Sequence, residues 1–304
     1  MGTEIPQRFS DPARFLTCAS VLLLLLLLTA SRADAKLTGN YERFAQCPYS
    51  NTEVTKCIVS ITESGEVILG SKKVPIVNPV TLQGGYGAVG EDEFSQFYGA
   101  SNGVTLSKTP QPVPGGLAGL VNCKEIKELV LRLACEAALE NGVTGVNSTL
   151  ELAKPASAIR ISENYLASEE GTALELPVMI HLENPFLGSK CYVGSSSSPI
   201  IWKLTTGETS PPAPNKPIHG FAGKGKFLEE GRILVDSELT MVDNSWASPG
   251  VTGCGGGLVE LLLDPVVDVS AGLPAEAGRN TAVLVNTASV GSAAAIRKND
   301  AENP

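Results

Sequence analysis

The chain has 304 residues, with 23 Lys and Arg against 32 Asp and Glu, a net charge of −9, and two His. That charge excludes a basic nucleic-acid binder, because affinity for phosphates rests on clustered Lys and Arg. Two His cannot supply a multi-His metal centre, and 43% hydrophobic with 18% charged residues is the composition of a chain that folds.

Residues 1–35 read as a secretory signal peptide. Arg8 and Arg14 form a positive start, Phe15 to Leu28 is apolar, and Ala33-Asp34-Ala35 places small residues for cleavage before Lys36. The apolar run is shorter than the roughly 20 residues a spanning helix needs, so no transmembrane segment is expected after cleavage. Three basic and three acidic residues leave with the signal, and the −9 is unchanged. Cys18 leaves too. Six Cys remain, an even number that reads as three disulfides in an oxidising compartment, with 15 connectivities open. The sequential pairing is Cys47–Cys57, Cys123–Cys135 and Cys191–Cys254. No C-x2–4-C knuckle occurs, which argues against zinc.

In chain order, Cys57–Thr62, Glu66–Leu69, Lys73–Val77 and Val80–Gln83 are short β-branched runs cut by Gly and Pro. A loop over 99–119 precedes a helix over 124–140, whose expected buried face is Ile126, Leu129, Val130, Leu133 and Ala137, ended by Asn141-Gly142. A continuous helix would hold Cys123 and Cys135 about 18 Å apart, so their bond requires a break in it. Strands resume over 148–152, 158–161 and 174–183, where Pro177 suggests an edge or a bulge. Residues 200–205 form another strand, and Thr209–Ile218 is an ordered Pro-rich surface loop. The β set finishes with 232–236, 239–243, 258–263 and 282–285. The expectation is a mainly β, antiparallel, disulfide-stapled sandwich or barrel-like fold with one notable helix. It occupies 36–290 as a single secreted domain, with 94–142 as the place where two sub-domains would divide, and residues 291–304 fray.

Signals for chemistry are few. Gly85-Tyr86-Gly87-Ala88-Val89-Gly90 matches G-x-G-x-x-G, but Glu91, Asp92 and Glu93 follow where a pyrophosphate would sit, and no cofactor is expected. There is no G-x-S-x-G elbow and no H-E-x-x-H helix. His181 and His219 are the candidates for a general base, each needing a distant Ser and Asp. Trp202 and Trp246 read as core packing, with a saccharide platform or hydrophobic anchor as the other use.

Three segments, His181-Leu-Glu-Asn-Pro-Phe-Leu-Gly-Ser-Lys-Cys191, Leu204–Ile218 and Leu263–Ala275, together with the Cys47-Pro48…Cys57 loop, resemble an uncharacterised family of secreted actinobacterial proteins. The resemblance covers most of 41–290 and implies export from a Gram-positive cell. It carries no activity and transfers no site residue. The leading expectation is a non-enzymatic secreted or envelope-associated β protein that binds a ligand or partner. The alternatives are a secreted hydrolase built on His181 or His219, and a carrier of apolar ligand or lipid in a β cavity, which a large pocket lined by Leu, Ile and Val would reveal.

Overall fold

Short β-branched runs joined by Gly- and Pro-rich turns pair here into one 14-stranded antiparallel sheet. A computed structural model describes Gly2 and residues 37–303. Apart from Gly2, the segment expected to be a signal peptide, the cleavage site expected before Lys36, and Cys18 lie outside the described residues. The first half holds β1 (Lys56–Leu69), β2 (Lys72–Pro75), β3 (Val80–Val89), β4 (Ser95–Gly99) and β5 (Pro110–Pro112). Helices α1 (Gly116–Leu120) and α2 (Leu129–Glu140) follow. Next come β6 (Asn147–Leu152), β7 (Arg160–Ile161), α3 (Glu163–Ser168), β8 (Leu174–Glu183), β9 (Tyr192–Val193) and β10 (Ile200–Leu204). The chain finishes with β11 (Lys224–Leu228), β12 (Ile233–Asp243), β13 (Val251–Thr252), α4 (Glu260–Ala271), β14 (Thr281–Ser292) and α5 (Ala293–Glu302).

The strands run in the order β11-β12-β14-β1-β3-β4-β7-β8-β6-β5, with β2 beside β1 and β10 beside β8. Just past β10, Thr205 exchanges both backbone hydrogen bonds with Val242 of β12, each 2.9 Å. The sheet therefore curls until its β8–β10 part meets its β12 part, and the two enclose one interior.

Two irregularities keep apolar side chains on the inner side of that curl. Successive residues of a strand face opposite sides, so an extra residue swaps the faces beyond it. In β1 the register against β14 shifts between Thr62 and Ser64. Ile58, Ser60 and Thr62 face inward before the shift, Val67 and Leu69 after it. In β12 a shift between Asp236 and Leu239 does the same, with Glu238 in the left-handed region at φ 58°. Both shifts flank Asn286 of β14, which is 3% exposed. Its Nδ2 donates to the Leu239 and Leu284 carbonyls at 3.1 and 2.9 Å. Its Oδ1 accepts from Thr62 Oγ1 at 2.6 Å. One amide thus ties Thr62, beside the β1 shift, to the Leu239 carbonyl, beside the β12 shift.

A second, smaller core lies on the outer side of β1, β12 and β14. Cys57 and Ile233 pack there under Leu37, Tyr41 and Phe44 from the N-terminal side and Ala293 and Ile296 of α5. Gly291 is opposite Cys57 and Ile233, and a Cβ on it would come within 2.7 Å of the Phe44 ring. The two chain ends are tied together, Thr38 N donating to Asn299 Oδ1 at 3.0 Å and Arg297 to the Tyr49 carbonyl at 2.6 Å. The frayed tail expected over 291–304 is therefore helical through Glu302, held by a fully buried Ile296.

Three further expectations change. The helix expected over 124–140 begins only at Leu129; Cys123–Glu125 is a 3-10 turn and Glu128 is extended. That break brings the Cys123 and Cys135 Cα atoms to 5.6 Å, and the two are bonded. It also rotates the helix, so Leu131, Cys135, Ala138 and Leu139 pack inward while Leu129, Val130 and Leu133 are exposed. Residues 258–263, expected as strand, lead into and open α4, which buries Leu263, Val267 and Ala271, one residue in four. Pro177 lies in a strand paired on both sides, not at an edge. Its carbonyl accepts from Ala153 N at 3.0 Å, on the side where β7 ends and β6 begins, so the missing N–H falls in the gap between two partners. Thr209–Ile218 is closed at its base by Thr209 N to the Ile218 carbonyl and pinned by Asn215 to the Asn244 and Asn280 carbonyls. The remaining bonded pairs are Cys47–Cys57 and Cys191–Cys254.

Replacing Asn286 with Leu keeps the volume but removes the buried hydrogen bonds to Thr62 and to the Leu239 and Leu284 carbonyls. Urea unfolding of Asn286→Leu is expected to show a loss of about 2–4 kcal/mol; a loss within experimental error would contradict the role given to this amide.

Candidate functional site

The curled sheet does not fill its own interior. A cavity of about 110 Å³ remains between the walls. On one side Val67 and Leu69 of β1, Val80 and Leu82 of β3, Met241 of β12 and Leu284 of β14 line it. From the facing wall come Leu150 of β6, Leu174, Leu176, Ile180 and Leu182 of β8, and Trp202 of β10. Val74 of β2, Leu120 of α1, and Ala271 and Leu273 at the end of α4 complete the lining. The cavity is therefore the meeting place of the inward faces set by strand alternation and by the two register shifts.

Most polar groups on its wall are already engaged. Thr62 bonds Asn286. Gln111 accepts from Val77 N and Asn78 N through Oε1 and donates to the Asn78 carbonyl through Nε2. Thr109 pairs with Ser107 at 2.9 Å. Trp202 differs: it is 1% exposed, and its Nε1 has no hydrogen-bond partner. Trp246 stands edge-on to it, ring centroids 6.0 Å apart, with its own Nε1 donating to the Asp243 carbonyl. Both tryptophans are core residues, and Trp202 is also cavity wall. The charged lining residue is Lys72. It lies opposite Leu69 in the β1–β2 hairpin, and no described residue pairs with it. The sequence offers an apolar β cavity as one alternative and core packing for both tryptophans, but it does not locate the cavity, because one lined by Leu, Ile and Val has the same sequence pattern as a filled core. Lys72-Lys73 likewise reads as a solvated turn.

The two histidines are placed elsewhere. His181 projects from the outer face of β8, stacked on Tyr192 of β9 at 4.3 Å. Its Nδ1 is 3.5 Å from Glu183 and 3.8 Å from Glu151, and its Nε2 is buried with no partner. Thr149, opposite His181 in β6, donates its hydroxyl to Glu183 at 2.8 Å. A triad needs the hydroxyl on Nε2 and the acid behind Nδ1; here two acids stand at Nδ1, and Nε2 has no hydrogen-bond partner. Lys108 closes over this cluster, bonding Glu151 at 2.7 Å, which raises the Lys108 pKa. His219 is on an exposed segment, its Nδ1 2.7 Å from the Gly220 carbonyl. Neither His lines the interior cavity.

The glycine motif is part of β3, not a strand-to-helix turn. Its glycines admit neighbours: a Cβ on Gly85 would lie 2.6 Å from Val54, and one on Gly87 2.9 Å from the Glu53 carbonyl. Tyr86 between them is buried and donates to Glu163, which also pairs with Lys56. Burial, reinforced by Glu163, raises the Tyr86 pKa well above the usual phenol value. Among the described residues no group of three or more His, Cys, Asp or Glu could hold a metal ion, and no helix is long and apolar enough to cross a membrane. No family model, curated protein or solved structure matches the chain.

Two interior-facing acids of β12 respond oppositely to the same substitution. Asp236 is 8% exposed and has no bonded partner among the described residues, and burial raises its pKa. The folded state then holds a proton that the unfolded chain has released, so this carboxyl lowers stability as pH rises from the ordinary carboxylate range through the raised value. Asp243 is also raised by burial, but it accepts from Lys203 N at 2.6 Å and Ser245 N at 2.9 Å. Thermal unfolding should show Asp236→Asn gaining stability, with a larger gain at pH 7 than at pH 4. Asp243→Asn, which turns an amide NH2 against a backbone N–H, should lose about 1–3 kcal/mol.

Proposed function

We propose that this protein is a non-enzymatic, exported binder of a small apolar ligand, held in the interior cavity. The cavity itself carries the reading. Protein interiors rarely keep voids larger than a water molecule. At roughly 24 cal/mol per Å³, leaving 110 Å³ empty costs about 2–3 kcal/mol. That is a large share of a typical net stability of about 5–15 kcal/mol, and a ligand would recover it. The predominantly apolar lining favours hydrocarbon.

Size narrows the ligand. An apolar cavity of about 150 Å³ takes up benzene, whereas drug-sized ligands occupy about 300–1,000 Å³. One ring or a short aliphatic chain suits 110 Å³; a two-chain lipid does not. The hydrolase alternative has less support, since His181 has no nucleophile at Nε2 and His219 stands on an exposed segment. Export through residues 1–35, release before Lys36 and an actinobacterial envelope as the setting belong to the same proposal. The leader pattern and three disulfides, which persist in oxidising compartments, support it.

Trp202 on the cavity wall makes the test optical. Titration with 1-hexanol or toluene should change tryptophan emission saturably and raise Tm, by about 2.7 kcal/mol of stability at a hundred times Kd. Val74→Phe, which fills the cavity from the half-buried β2, should fold and lose both responses. Unchanged emission and Tm across the titration would overturn the reading.

A further inference from the structure

The geometry points to Lys72 as the anchor for a negatively charged head group, which makes the ligand a short-chain or single-ring monoanion such as a monocarboxylate. This rests on the apolar-binding reading and deepens it. Register places the lysine. Leu69 and Val67 of β1 face the cavity, and Lys72 and Val74 lie directly opposite them in β2. The next residue, Lys73, faces the other way and pairs with Glu66 at 2.5 Å. Two adjacent lysines thus have opposite situations. The outer one is neutralised, whereas the inner one lines an apolar cavity without a counter-charge from any described residue.

The hairpin that carries Lys72 is held firmly. Gly70 N donates to Asn280 Oδ1 at 2.9 Å, and Ser71 N to the Ala271 carbonyl at 2.8 Å. Gly70 itself has φ 57°, and a Cβ there would stand 2.3 Å from the Ala271 carbonyl oxygen, so only glycine makes this turn against α4. The interior acids do not serve Lys72. Asp236 lies opposite Ala288, and so across from Ser60, nine residues along β1 from Leu69, which is roughly 30 Å of strand. Asp243 is spent on two backbone N–H groups. The other side chains with hydrogen-bonding groups on the wall are mutually bonded or uncharged. A bound carboxylate on an apolar body would give Lys72 its counter-charge.

The chain as a whole carries −9, so attraction of an anion here is a local property and a selective one. Calorimetric titration with hexanoate, 1-hexanol and hexylamine, on the wild type and on Lys72→Met and Lys72→Arg, tests it. The expected result is that hexanoate binds the wild type more tightly than the other two. Lys72→Met should weaken hexanoate about tenfold and leave 1-hexanol unchanged, while Lys72→Arg retains hexanoate. Added salt should weaken hexanoate and spare 1-hexanol. If hexanoate and 1-hexanol bind alike and Lys72→Met alters neither, the anion site is overturned and the apolar cavity stands. If no probe binds any form, the cavity reading falls and the anion site falls with it.

Discussion

One buried amide, Asn286, allows a long strand pair to bend without losing its hydrophobic side. A strand alternates its faces every residue, and a curled sheet demands that one face stay inside along the whole length. β1 and β12 meet that demand by inserting a residue on either side of Asn286. Each insertion loosens the ladder, and the Asn286 side chain bonds Thr62, Leu239 and Leu284 across the damage. The bend then separates the walls enough that Val67, Leu82, Leu176 and Leu284 line a space in place of filling it.

The rest of the molecule braces that interior. α4 anchors the strand beside it, as Asp268 accepts from Val251 N and Asp264 from Gly253 N and Cys254 N. The Cys191–Cys254 bond joins the same segment to the start of β9. Burial raises the pKa of both aspartates despite the N–H groups they accept, so the clamp is made of backbone hydrogen bonds more than of charge. At the other end, Phe44 and Ile296 cover the outer face of β1, β12 and β14. The acid–base groups around His181 lie outside the curl, and the apolar volume lies inside it. His181 and Glu183 line a separate, more open pocket on that outer side together with Asn184 and Ser189.

The β class was legible because β-branched runs between Gly and Pro have few other solutions. Helix boundaries were less so. Residues 258–263 form an unbroken apolar run, which suits a buried strand and a helix equally. The decisive pattern lay further on, with Leu263, Val267 and Ala271, and with Asp264 and Asp268, each four residues apart. The periodicity that starts at Ile126 does not carry into α2, because it runs across the break that the Cys123–Cys135 bond requires. The cavity has no sequence signature at all: whether Leu176 touches Leu284 or a void depends on curvature, which depends in turn on bulges that no single residue announces. Lys72 acquires its meaning only from register, since a shift of one residue would have exchanged it with Lys73.

The most direct test is where a bound probe sits. In a sample with labelled Leu and Val methyl groups, nuclear Overhauser contacts from bound hexanoate should reach Leu82, Leu176 and Leu284 together, from both walls at once. Contacts confined to the exposed Leu129, Val130, Leu133, Leu258 and Leu261 would place the ligand on the helices outside the sheet and contradict the account.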